Sequence, residues 1–167
     1  ETGGSTNIKF LQKEVLKNKA DFGIAFDGDG DRLIIVDKNA KELNGDDILF
    51  VLARDKFENQ ITLGSKGIVG TIMTNKGLEN SLTKMGVELV RSDVGDRYVL
   101  QKLEELNWDL GGEQSGHIIS LDSSNCGDAI IAAIKFLEAY ICSGLSLDQL
   151  LKPFTKYPQI LTNVKTK

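Results

Sequence analysis

A single histidine and two cysteines are all the nitrogen and sulfur metal-ligand chemistry this chain carries. Cys126 and Cys142 lack the spacing of a metal motif. Two thiols do not make a disulfide scaffold, so both are expected to be reduced. A basic stripe is missing too: 20 Lys and Arg stand against 24 Asp and Glu, for a net charge of −4. That balance gives nucleic acid no electrostatic footprint. No apolar run approaches the ~18 residues of a membrane span. The opening residues Glu1-Thr2-Gly3-Gly4-Ser5-Thr6 are polar and unlike a signal peptide, so a cytoplasmic setting is expected. An initiator methionine is lacking as well, and the Gly-rich start reads as part of something longer. With 41% hydrophobic and 26% charged residues over 167 positions, what remains suits one full globular domain and part of another.

Strands and helices alternate along it. Apolar spacing predicts a helix over 8–18, strands over 22–26 and 33–37, and a turn at 37–40. A second helix opens at 43–47, with Asp46 as N-cap or first-turn acid. Then follow strand 67–72, helix 76–85, strand 87–91, helix 96–106, strand 108–112, a polar loop, and a returning strand 117–121. Helix 128–143 is the most apolar, Asp128 reads as its cap, and a short helix spans 147–151. Residues 159–164 alternate apolar and polar and are expected to extend as a strand. The pattern predicts an α/β fold, a three-layer αβα arrangement whose mixed, mostly parallel sheet carries an antiparallel edge strand. An incomplete second α/β domain precedes it, with the boundary placed near 41–44.

The stretch that organises the chain is Asp27-Gly28-Asp29-Gly30-Asp31-Arg32. Three carboxylates at alternate positions, between two apolar strands, repel one another unless a cation sits among them. Carboxylate oxygens are hard ligands, so Mg²⁺, or Mn²⁺ in its place, is the expected occupant. A calcium-binding EF-hand loop would need Gly at its sixth position and Glu at its twelfth; Arg32 and Lys38 stand there instead. A dehalogenase-type phosphatase signature, an apolar strand ending in Asp-x-Asp-Gly, is a rival, with Asp27 as nucleophile and Asp29 as acid/base. That signature usually continues with Thr or Val, where this chain has Asp31-Arg32.

A second polar cluster is Gly111-Gly112-Glu113-Gln114-Ser115-Gly116-His117. Carboxylate, amide, hydroxyl and imidazole within five positions offer both donors and acceptors, a set suited to a polyhydroxyl ligand. In Val94-Gly95-Asp96-Arg97-Tyr98, a helix start near an anion would let Arg97 bind phosphate; a plain helix start fits equally. Thr74-Asn75 follows a strand where α/β folds place ligands.

These residues resemble the α-D-phosphohexomutases. Phe26 through Arg32 is similar to their metal loop, and Gly112 through His117 to their sugar-recognition loop, in the same order along the chain. With Val94 through Val99 between them, Tyr157-Pro158-Gln159 after them and Gly4-Ser5-Thr6 before, the chain is most similar to the bacterial member that handles glucosamine phosphates. The resemblance implies four domains around a cleft. Residues 1–42 would close the second, 43–157 form the third, and 158–167 lead to an absent fourth. It implies a phosphoserine that converts glucosamine 6-phosphate to glucosamine 1-phosphate through a 1,6-bisphosphate; phosphomannomutase or phosphoglucomutase chemistry is the alternative. One Mg²⁺ would be held by Asp27, Asp29 and Asp31, with Arg32 a supporting cation. Glu113 and Ser115 would grip sugar hydroxyls with His117 nearby, and Arg97 would meet phosphate. The missing first and fourth domains would be partners, and a chain so cut is expected to self-associate through uncovered apolar surface.

The phosphoserine loop of the family, Ser-His-Asn-Pro, is absent, since the sole histidine is His117. Its Arg-x-Ser-Gly-Thr phosphate loop is absent too: none of Arg32, Arg54, Arg91 or Arg97 opens one. The 167 residues alone are therefore expected to show no mutase turnover, and a coupled assay that detected turnover by them would overturn this.

Overall fold

The computed structural model describes residues 8–59 and 66–162. Helix α1 (Lys9–Asn18) leads into β1 (Phe22–Phe26), which pairs antiparallel with β2 (Leu33–Asp37) in a register running from Phe26↔Leu33 to Phe22↔Asp37. The acidic hexapeptide is thus the connection of a hairpin. A two-residue strand, β3 (Glu42–Leu43), adds to the other side of β2; it is too short to leave a period in the sequence. Every residue of β2 is buried, because α1 and, from far down the chain, α5 (Ala129–Ser143) both pack on it.

Helix α2 (Gly45–Glu58) starts where the polar run 44–47 supplies its own caps. Asn44 accepts from the Asp46 amide at 3.1 Å and Asp47 reaches back to the Asn44 amide at 2.8 Å, a reciprocal capping box. Asp46 is therefore a first-turn acid and not the cap. Then come β4 (Gly67–Thr71), α3 (Lys76–Lys84), β5 (Glu88–Ser92), α4 (Asp96–Leu106), β6 (Leu110–Gly112), β7 (Ile118–Ser120), α5 and α6 (Leu147–Leu151). The second sheet has the order β5-β4-β6-β7, parallel except for β7, which returns antiparallel at the edge. Successive residues of a strand point to opposite faces. On β4, Val69 meets Val99 and Leu103 of α4, while Ile68 joins the core built with α2 and α3. Helices thus cover both faces, giving the three layers.

That larger core does not stop at the second sheet. It runs from Leu33, Ile35 and Leu43 through Ile48 and Leu49 to Ile118 and α5, so the hairpin and the four-stranded sheet share one apolar interior. Helix α5 joins them by an alanine seam: Ala129, Ala132, Ala133, Phe136 and Ala139 are buried, whereas Ile130, Ile134 and Ile141 are 57, 58 and 71% exposed. Small side chains let the helix axis approach α2 and β2 closely.

The expected strand over 159–164 does not form across 159–162, and 163–164 lie outside the described residues. The preceding tail offers no free edge, because side chains engage its backbone: the Tyr157 N–H donates to Asn75 Oδ1 and the Tyr157 carbonyl accepts from Asn75 Nδ2.

The seam makes a sharp contrast testable. Phe136→Ala is expected to lower unfolding stability by about 3–5 kcal/mol, while Ile141→Ala stays within about 0.5 kcal/mol. Urea titrations followed by circular dichroism would measure both.

Candidate functional site

The acidic turn is shaped by Asp27. Its Oδ1 accepts from the backbone N–H groups of Gly30, Asp31 and Arg32, each at 3.1 Å, and Gly30 takes a φ of 75° to allow the curl. The turn sets the Asp31 carboxyl beside that of Asp27. The neighbouring Asp27 carboxyl, then burial, push the Asp31 pKa up. Burial works against the Asp27 charge, but the Asp31 hydrogen bond and the three amides together hold its pKa below the usual carboxylate value. Asp31 Oδ2 lies 3.3 Å from His117 Nδ1, and Asp31 Oδ1 is buried without a hydrogen-bond partner. Asp29, at the apex, is exposed. The structure thus brings Asp27 and Asp31 together and leaves Asp29 outside. Among the described residues no three His, Cys, Asp or Glu side chains converge as a metal cage. Arg32 is exposed, its Nε 3.8 Å from Asp27 Oδ2.

The second polar loop is joined to this turn by its backbone. Arg32 and His117 form an antiparallel bridge, and the Leu33 N–H donates to the Gly116 carbonyl at 3.0 Å. Gly116 has a φ of 97°, and a side chain there would run into the Leu33 carbonyl. The loop closes on itself through Gly116 N–H to the Glu113 carbonyl (3.0 Å) and Glu113 N–H to the His117 carbonyl (2.9 Å). The first turn of α5 also attaches: the Ala129 N–H donates to the Gly30 carbonyl at 3.0 Å. The His117 ring is buried between Asp31 and Gly127, where a side chain at Gly127 would clash with Nε2. It is placed to orient Asp31.

Glu113 faces an open cleft of about 450 Å³ with Gln114, Ser115, Thr71, Met73 and Val94, at the C-terminal ends of the parallel strands, where α/β sheets bind ligands. One carboxylate oxygen of Glu113 is fixed by the Gly95 N–H at 2.9 Å. Ser115 is exposed beside it. Arg97 is exposed at the start of α4, but its guanidinium lies over the Tyr98 ring at 4.5 Å and donates to the Tyr98 hydroxyl; it does not line this cleft. Thr74 and Asn75 are buried and structural: Asn75 caps α3. Asp46 supports the Glu113 loop from below. It is fully buried under the loop, accepting from Gln114 Nε2 at 3.2 Å, and burial raises its pKa. Its sequence context shows only a helix start.

Residues 44–157 match the family model for phosphoglucomutase/phosphomannomutase, alpha/beta/alpha domain III, and residues 4–42 match that for alpha/beta/alpha domain II. The chain is 49% identical over 162 residues to phosphoglucosamine mutase of Aliivibrio fischeri and 48% identical over 165 residues to that of Histophilus somni. Those alignments cover 97 and 99% of this chain but only 36 and 37% of the relatives. Among solved structures, a phosphoglucomutase/phosphomannomutase family protein from Burkholderia thailandensis superposes with a TM-score of 0.78 at 24% identity, over 91% of this chain and 32% of its own. The N-acetylphosphoglucosamine mutase of Aspergillus fumigatus, in complex with GlcNAc-6P and magnesium, does so at 0.73 and 19%, over 95% of this chain and 41% of its own; at such identities the likeness speaks for the fold alone. With the two family models matched in succession over residues 4–42 and 44–157, the chain belongs to the phosphoglucomutase/phosphomannomutase family.

Proposed function

We propose that this chain is the metal- and sugar-binding portion of a phosphoglucosamine mutase, which interconverts glucosamine 6-phosphate and glucosamine 1-phosphate in the cytoplasm. The observation that carries the reading is the junction of the two polar loops. An acidic turn and a hydroxyl-binding loop, separated by some eighty residues, share backbone hydrogen bonds and the Asp31–His117 contact. A sugar phosphate gripped at Glu113 would present its phosphoryl end towards Asp27 and Asp31. The identity to phosphoglucosamine mutases favours the glucosamine member over other phosphohexomutases. The dehalogenase-type alternative falls with the family assignment. It is also chemically poor here, since one oxygen of its nucleophile, Asp27, already accepts from three amides.

The residues fit a divalent cation. Two carboxyls in contact and a buried, unpartnered Asp31 Oδ1 are hard oxygen donors that a cation would relieve. Asp27, Asp29 and Asp31 would hold Mg²⁺, which when bound offsets charge developing on a transferring phosphoryl group. Arg32 adds a fixed positive charge close by. His117 holds the Asp31 carboxylate in orientation from behind. Glu113, with one oxygen tethered, accepts from sugar hydroxyls, and the Ser115 hydroxyl answers a ring oxygen. Arg97 would reach phosphate by leaving Tyr98. The phosphoryl-carrying serine and a further phosphate site lie in parts of the protein beyond this chain, with 1–42 as the end of domain II, 43–157 as domain III and 158–167 as the link onward. Among the described residues no helix is long and apolar enough to cross a membrane, and the exposed isoleucines of α5 favour association of the isolated chain with its own copies.

Two measurements test the site. Isothermal titration with Mg²⁺ should show binding by the chain that Asp31→Asn abolishes and His117→Ala weakens by about 10–100-fold; unchanged affinity in both variants would refute the metal assignment. In the complete enzyme, Glu113→Gln should cut kcat/KM for glucosamine 6-phosphate by at least about tenfold, the weight of one charged hydrogen bond. Light scattering should give a mass that rises with concentration; a monomer at high concentration would exclude self-association.

A further inference from the structure

Behind the cleft, residues 153–159 cross the N-terminal ends of α2 and α3, held by side chains. Asn75 brackets Tyr157, donating to its carbonyl and accepting from its N–H. Ser81 Oγ donates to the Pro153 carbonyl at 3.1 Å, and Lys156 pairs with Asp47. The approach is close enough that a side chain at Gly77 would strike the Thr155 carbonyl. The final contact of this strap is Gln159. Its Nε2 donates to the Met73 carbonyl at 2.8 Å, and its Oε1 accepts from Gln114 Nε2 at 3.3 Å and Asn75 Nδ2 at 3.4 Å. Gln114 also donates to the buried Asp46 carboxylate, and its own carbonyl accepts from the Gly45 N–H at 3.0 Å. One amide group of the candidate sugar loop is therefore shared between a fixed anchor in the core and the tail that leaves the domain.

We propose that Gln159 is a positioning residue: acting through Gln114, it holds loop 113–116 in its ligand-binding pose and so couples that loop to the docking of the tail. A primary amide has two N–H donors. With Asp46 engaging one and Gln159 the other, the Gln114 side chain is fixed in plane and direction; with Asp46 alone it can swing. Coupling of this kind is reciprocal. A sugar phosphate that tightens the loop also tightens the strap over residues 153–159 when the site is filled. The ligand half of the statement rests on the sugar-binding reading of Glu113 and Ser115; the link between tail and loop does not.

Amide hydrogen exchange on the chain reads the loop at Gly45 and Gly116, whose N–H groups donate to the Gln114 and Glu113 carbonyls. Gln159→Ala is expected to speed exchange at both by about fivefold, the weight of a neutral hydrogen bond, while Ala132 in α5 is unaffected. Gln114→Ala, which removes the Asp46 anchor as well, should speed exchange at least as much, and the double variant no more than Gln114→Ala alone. Saturating glucosamine 6-phosphate should slow exchange at Tyr157 in the unmodified chain but not in Gln159→Ala. Unchanged loop exchange in Gln159→Ala overturns the proposal, as does additivity of the two substitutions. Equal acceleration at Ala132, the mark of general destabilisation, also overturns it. If glucosamine 6-phosphate protects neither loop nor tail while Gln159→Ala still loosens the loop, the sugar-binding reading fails and the tail-to-loop link stands.

Discussion

The geometry of the site depends on one oxygen atom, Asp27 Oδ1. By accepting from three successive amides it winds residues 27–32 into a single curl, and everything downstream inherits that shape. The curl sets Asp31 against Asp27, returns Arg32 to the start of β2, and points the Gly30 carbonyl at the first amide of α5. A neutral side chain in place of Asp27 would accept those amides less strongly, because hydrogen bonds to a charged acceptor are the stronger kind. The cost of crowding a second carboxylate beside it is visible in the opposite displacements of the two pKa values. That electrostatic tension has a direction: it favours a cation at the mouth of the turn.

Around this curl the fold places two unlike kinds of support. The larger core grips β2 and α5 from the apolar side, so the turn sits on a rigid base. On the polar side, Gly116 and Gly127 remove side chains where Leu33 and His117 must come close. The first loop therefore leans on the second at van der Waals distance, with a buried imidazole filling the space between them. Water is displaced from the inner face of Asp31, which strengthens each remaining electrostatic contact there.

Much of this was legible in the residues. Short apolar runs placed β1 and β2, the second buried along its whole length, and helical spacing placed α4 and α6. The acidic and Glu113 loops stood out because their polar density exceeds what a turn needs. Three things were not legible. Strand β3 is two residues long and carries no period. Helix α5 reads as uniformly apolar, yet alanines face the core and isoleucines face out, a choice made by how near α2 and β2 come. The Asp31–His117 and Gln114–Gln159 contacts join residues far apart in sequence, and no local pattern pairs one segment with the other. The same holds for Asp46, a helix-start acid by pattern and a buried anchor by position. The tail taught the complementary lesson: alternation at 159–162 is no strand when side chains already satisfy the backbone leading to it.

The join between the two loops has a consequence for how such a protein diversifies. It is made of N–H and carbonyl groups, at Arg32, Leu33, Gly116 and His117, and backbone groups are the one part of a residue that substitution leaves in place. Side chains at exposed positions such as Ser115 and Arg32 can be exchanged without altering the spacing between the acidic curl and the Glu113 loop. Under the proposed sugar-binding reading, selectivity for a ring substituent would drift while the distance from that ring to the acidic curl stays constant, so a new substrate would be explored without rebuilding the turn beside it.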